Sequence, residues 1–186
     1  MSFIEDGTGK GFKAKVDDRN RLVNFSEQRS ILAAESRTNG EAYTFSHSDY
    51  ISITTTDTET GILHVKNTSK TKDLFIVSVR TCGNIINKWK LYKNSTGGTL
   101  ISEQTSGNKA NLNAKSSNIA EATVYKGADG KTVSGGTMIG HLINDVGHSD
   151  EPFDGAVILG NNDSMELSVE VSSVGQVCCR AIGYYL

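Results

Sequence analysis

Proline is nearly missing from this chain: one residue in 186, at position 152. Turns must therefore be built from other residues, and glycine (19), serine, threonine and asparagine are all plentiful. That composition favours short strands joined by polar turns. Cysteine is equally scarce, with Cys82, Cys178 and Cys179 alone. An odd count with one adjacent pair does not read as a disulfide framework. No CxxC or histidine–cysteine spacing points to zinc. Each cysteine sits in an apolar, strand-like run, so all three read as buried thiols.

Long apolar runs are also lacking. None approaches the ~20 residues that a membrane helix needs, so no membrane role is expected. Glu5 and Asp6 interrupt the N-terminus too early for the apolar core of a signal peptide, so folding in a cytoplasm is expected. The net charge is −2, with both signs interspersed. No basic stripe marks nucleic acid as a direct partner. Hydrophobic residues make up 37%, enough for a folded core in a chain whose length suits one domain, or a domain plus an arm.

A set of catalytic residues is missing as well. A serine or cysteine nucleophile needs a partnered base in a pocket, and nothing in the sequence nominates one. No convincing carboxylate pair for glycoside hydrolysis stands in a shared context. Gly7-Thr8-Gly9-Lys10-Gly11 has the spacing of neither phosphate-binding glycine motif and no strand–loop–helix around it. His141 and His148 stand among Asp145, Asp150, Glu151 and Asp154, but that spacing fits no helical pair, and polar loops commonly collect such residues. Asn161-Asn162-Asp163 reads as a hairpin turn rather than a calcium loop. Trp89, Tyr92 and Tyr125 could stack on a sugar, but in alternating strands they read as core aromatics. No metal or cofactor is expected, and the protein is not expected to be an enzyme.

What is present begins with residues 1–25, a polar stretch punctuated by glycine and too poor in apolar residues to build a core. It reads as an extended N-terminal arm, leaving 26–186 as the folded domain. Glycine would let the arm turn sharply or approach a partner's backbone. Lys10, Lys13 and Lys15 lie between acidic Glu5/Asp6 and Asp17/Asp18, either a solvated arm or a salt-sensitive docking strip. One helix is expected over residues 26–37, opening at a Ser26 cap and ending at Thr38-Asn39-Gly40.

From Ala42 the pattern changes to a period of two. Strands are expected at residues 43–45, 50–53, 61–66, 73–82, 85–93, 99–101, 118–126, 137–143, 155–159, 164–172 and 177–184. Residues 73–82 give the strongest signal, rich in β-branched side chains. Residues 164–172 alternate cleanly: Met165, Leu167, Val169 and Val171 are expected to face in, and Glu166, Ser168 and Glu170 out. Residues 107–116 and 144–154 read as loops, and Gly127-Ala128-Asp129-Gly130 as a tight turn. The fold class is all-β, an antiparallel β-sandwich with an N-terminal arm and one short helix. The long crossing loops favour a jelly roll over a simple meander.

The arm, from Ile4-Glu5-Asp6-Gly7-Thr8-Gly9 through Ala14-Lys15-Val16 to Asn20-Arg21-Leu22, resembles the opening of structural proteins of tailed-bacteriophage virions. Further stretches resemble the same group: Gly40-Glu41-Ala42-Tyr43, Ile62-Leu63-His64-Val65-Lys66-Asn67 before Lys72-Asp73-Leu74, and Tyr92-Lys93-Asn94 before Gly98-Thr99-Leu100. Val124-Tyr125-Lys126-Gly127 before Ser134-Gly135-Gly136-Thr137, and Leu159 before Asp163-Ser164, complete the likeness over nearly the whole chain. The resemblance implies a non-enzymatic virion component, assembled in the host cytoplasm and most simply a capsid decoration or cement protein. Its partners would be the major capsid protein or other virion subunits, and copies of itself in a homotrimer. Arm residues Ile4, Glu5, Asp6, Gly7, Gly9, Lys10, Gly11, Lys13, Lys15 and Val16 would cross a neighbouring subunit, adding backbone hydrogen bonds. The alternative is a receptor- or carbohydrate-binding module of a head fibre, tail or neck, with residues 108–117 or 144–154 contacting sugar.

Overall fold

The computed structural model describes residues 31–47, 49–144 and 146–186, without the side chains of 154–156, together with the backbone of residues 3–5, 13–16 and 22–23. The chain divides into two compact units, Met1–Ser30 and Ile31–Leu186.

In the first unit, β1 (Phe3–Glu5), β2 (Lys13–Val16) and β3 (Leu22–Val23) pair antiparallel in the order β1-β2-β3. Phe3 stands opposite Lys15 and Glu5 opposite Lys13, while Val16 meets Leu22. The segment thus carries strand pairing of its own, which its sparse apolar residues do not announce. The glycine run Gly7–Gly11 and the expected Ser26 cap lie outside the described residues.

The second unit opens with α1 (Ile31–Ala34), which continues as a π-helical turn over Glu35–Asn39. Gly40 ends it at φ +65, a left-handed value that a side chain would resist. Eleven strands follow: β4 (Ala42–Ser46), β5 (Ile51–Ile53), β6 (Thr60–Asn67), β7 (Leu74–Gly83), β8 (Asn87–Lys93), β9 (Asn108–Asn111), β10 (Ala122–Lys126), β11 (Thr137–Asn144), β12 (Gly147–Leu159), β13 (Ser164–Val171) and β14 (Gly175–Tyr185). One sheet runs β10-β6-β13-β8-β11 and the other β12-β7-β14-β4-β9, with β5 added on β14. All pairings among the described strands are antiparallel, and the two sheets of the second unit form the expected sandwich.

Alternation explains the core. Leu63 and Val65 of β6, Met165, Leu167, Val169 and Val171 of β13, and Trp89 and Leu91 of β8 are buried from one sheet. Phe45, Ile76, Val79, Val177 and Ala181 are buried from the other. Trp89 keeps its polar edge satisfied by donating Nε1–H to Asn87 Oδ1 at 2.5 Å. Asn144 at the end of β11 donates to Thr81 Oγ1 of β7 at 2.7 Å, joining the two sheets through a buried hydrogen bond.

Five expectations need correction. Residues 99–101 form not a strand but the helical turn α2 (Thr99–Ser102), in which Leu100 is the one fully buried residue. Residues 107–116 contain edge strand β9, held by pairing with β4 despite its polar Asn-Lys-Ala-Asn sequence. Residues 144–154 are mostly strand, because β12 starts at Gly147 and pairs along β7 with a break between Pro152 and Val157. Pro152 is tolerated because β12 is an edge strand. Glu166 and Ser168 face away from the sandwich core as expected, yet both are fully buried, since Leu100 and Val133 stand over Gly61 beside Glu166 Oε1. Finally, Cys82 and Cys178 are joined as a disulfide, their Cα atoms 5.1 Å apart. They are direct cross-strand partners of β7 and β14, a proximity that chain spacing cannot reveal. Cys179, one position further, points inward as the expected buried thiol.

Candidate functional site

The outward face of the β12-β7-β14-β4-β9 sheet carries an open concave surface. Its centre is a transverse row, one residue from each strand: Asp150, Arg80, Arg180, Ser46 and Asn108. The neighbouring row on the same face is His148, Cys82 and Cys178. Tyr50, just before β5, lies beside it, since Ile51 pairs with Val177.

A cleft of about 640 Å³ opens over this face, lined by Ser46, His47, Asp49, Tyr50, Arg80, Cys178, Cys179 and Arg180. Two smaller hollows, of about 390 and 510 Å³, adjoin it, and Tyr50 lines all three. Tyr50 is 65% exposed, unusual for a large aromatic side chain.

The walls are held firmly. His47 is buried, accepts the Cys179 N–H at Nε2 (2.9 Å) and places Nδ1 2.5 Å from the Asp49 carbonyl. Those contacts fix the proton on Nδ1 and keep the ring neutral; burial lowers its pKa in the same sense. With both nitrogens engaged, His47 is a clamp between β4 and β14 rather than a free acid or base. The Cys82–Cys178 bridge ties β7 to β14 at the same end.

Arg80 donates from Nε and one terminal nitrogen to both carboxylate oxygens of Asp150. That forked contact, made in the open, raises the guanidinium pKa and holds the Asp150 carboxyl low. Arg180 stands directly opposite Arg80, and like charges in that position are unfavourable. The Arg180 side chain acts on Asp150 only through space and makes no hydrogen bond or ion pair among the described residues.

The other sequence candidates fall elsewhere. Of the arm residues, Ile4 and Glu5 lie on β1, and Lys13, Lys15 and Val16 on β2; Asp6, Gly7, Gly9, Lys10 and Gly11 lie outside the described residues. His141 and His148 are not brought together: His141, on β11, borders a small apolar hollow of about 250 Å³, whereas His148, on β12 of the other sheet, borders a Tyr50 hollow. No group of three or more His, Cys, Asp or Glu among the described residues is placed to hold a metal ion. Residues 160–163 form the expected turn, closed by the Asp163 N–H to the Gly160 carbonyl at 3.0 Å, and the Asp163 carboxylate is occupied by Asn94 and the Gly160 N–H.

Trp89 is core, Tyr92 donates to Glu59 Oε2 at 3.2 Å, and Tyr125 stacks on His64 with ring centroids 5.5 Å apart. The aromatic that sequence reasoning passed over is Tyr50. Its signal was present: Ile51 and Ile53 share one face, which puts Tyr50 with Ser52 on the other.

A second polar cluster lies on the outward face of the other sheet. His64 and Glu166 are direct cross-strand partners, both buried. His64 Nδ1, the Ser95 hydroxyl and both Glu166 oxygens lack a hydrogen-bond partner, and Ser95 lies close enough to Glu166 to oppose the rise of its pKa. Burial, reinforced by the Glu59 charge, pushes the Glu166 carboxyl up to about 7. Burial and the Lys66 charge push His64 down to about 4. Both groups therefore favour their neutral forms, which limits the cost of leaving them buried. No protein family, curated protein or solved structure matches this chain, so the likeness to virion structural proteins rests on the sequence stretches alone.

Proposed function

We propose that this protein is a non-enzymatic structural component of a tailed-bacteriophage virion, most simply a decoration protein on the capsid. The observation that supports this reading is the separate N-terminal unit, Met1–Ser30, ahead of a sandwich with a continuous core of its own. An anchoring element has to be separable from the body that it anchors. In this reading the N-terminal unit binds the major capsid protein through backbone pairing, and the body packs with copies of itself as a trimer. Many weak contacts repeated over a closed shell then add through multivalency. A jelly-roll relation to capsid-type sandwiches and a location in the virion belong to the same proposal.

Removal of residues 1–16 tests it. The truncated chain is expected to fold but to be lost from particles assembled in its presence. Truncated protein that still decorates particles would overturn the anchoring role.

The alternative, a carbohydrate-binding module of a fibre, tail or neck, loses its two expected loops, since they hold strands β9 and β12. It keeps support from the Tyr50 cleft.

A further inference from the structure

We propose that the Tyr50 cleft binds a carboxylate-bearing saccharide, with Arg180 as its ion-pair partner and Tyr50 as the platform for the sugar ring. Charge comes first. The row across the sheet places two guanidinium groups opposite each other and supplies one carboxylate, Asp150, which Arg80 takes with both of its oxygens. Arg180 is left opposite another cation, with Asp49 the one carboxylate in the cleft lining, and an incoming anion relieves the guanidinium pair. The neighbouring Arg80–Asp150 contact shows the forked geometry in which a guanidinium meets a carboxylate.

The rest of the cleft selects a sugar. Tyr50 offers an exposed aromatic face at the rim, and an apolar ring face is what the C–H side of a pyranose packs upon. The lining is polar beyond it, with the Ser46 hydroxyl on the arginine row. Hydroxyls of a saccharide need such partners; a wholly apolar ligand would leave them unpaired. The cleft volume of about 640 Å³ lies within the usual range for small ligands. The His47 clamp and the Cys82–Cys178 bridge fix its wall, so little ordering entropy is lost on binding. The inference stands apart from the anchoring role: a body that binds no sugar could still be anchored, and a body that loses its anchor would still bind sugar.

The test is calorimetric titration of the full chain with oligosaccharides of galacturonate, glucuronate and sialate, beside their methyl esters and an acidic peptide of equal charge. At least one charged saccharide is expected to bind, with its ester about tenfold weaker or worse. Arg180→Gln and Tyr50→Ala are each expected to weaken binding about tenfold, while thermal unfolding stays unchanged because both side chains are exposed. Arg180→Lys, which keeps the charge and loses the fork, is expected to fall between. Absence of binding by every charged saccharide would overturn the proposal. So would esters that bind as well as acids, variants that bind like the parent, or an acidic peptide that binds as tightly as the sugars.

Discussion

At the residue scale, the pair His64 and Glu166 has the clearest measurable consequence. Glu166 is raised toward about 7, so its contribution to stability is complete below the ordinary carboxylate range and is lost as pH rises to about 7. His64 is lowered to about 4, so its contribution is complete above the ordinary histidine range and is lost as pH falls toward about 4. Between roughly pH 4.5 and 6.5 the two slopes oppose each other and largely cancel. Glu166→Gln is expected to leave the histidine slope alone, so that stability rises with pH by on the order of 3 kcal/mol relative to the parent. His64→Gln is expected to do the reverse by a similar amount. Urea unfolding of parent and variants from pH 4 to 7.5 reads both effects, and curves parallel to the parent's would refute the assignment. Trp89 belongs to this scale too. It is 1% exposed in the centre of the core, and Trp89→Ala is expected to cost about 3–5 kcal/mol in the same assay.

At the scale of elements, strands with two-fold alternation were legible from sequence and polar edge strands were not. Residues 164–172 announced β13 through Met165, Leu167, Val169 and Val171, because burial of one face writes itself into every second residue. β9 has no such signature: Asn108–Asn111 is exposed or half-exposed, and its strand form comes from the hydrogen bonds that β4 offers. Leu100 misled in the opposite direction, since one buried leucine serves a helical turn as well as a strand. The turn matters because Leu100 stands over Gly61 and helps to seal Glu166 from water. Leu100→Ala is expected to lower stability by about 2–5 kcal/mol and to bring the Glu166 carboxyl back toward its ordinary range. A Glu166 titration by NMR that is unmoved in this variant would contradict the sealing role. The Cys82–Cys178 bridge depends on register between strands whose cysteines are 96 residues apart, a fact that no local pattern carries. Reduction, or Cys178→Ser, is expected to cost about 2–4 kcal/mol, read as a lower Tm with reductant; an unchanged Tm would mean that the bridge adds nothing.

At the scale of the whole molecule, the sandwich class followed from composition and alternation, whereas the Tyr50 cleft did not. Its residues come from β4, β7, β14 and the segments that flank β4 and β5, and only the strand order lays Arg80, Arg180 and Ser46 in one row, with Asp150 of β12 beside Arg80. Each looks like an ordinary surface residue in its own strand. The N-terminal unit has the converse character: its glycine-rich, core-poor composition is plain in the sequence, whereas the pairing of its strands is not. The anchoring role assigned to it is the central claim. Cryo-electron microscopy of the assembled particle tests it most directly. The expected result is density for the sandwich on the outer surface of the capsid, with residues 1–30 laid over the major shell protein. Density for this chain at the neck, tail or a fibre, or a body seated on the shell with its N-terminal residues making no contact, would contradict it.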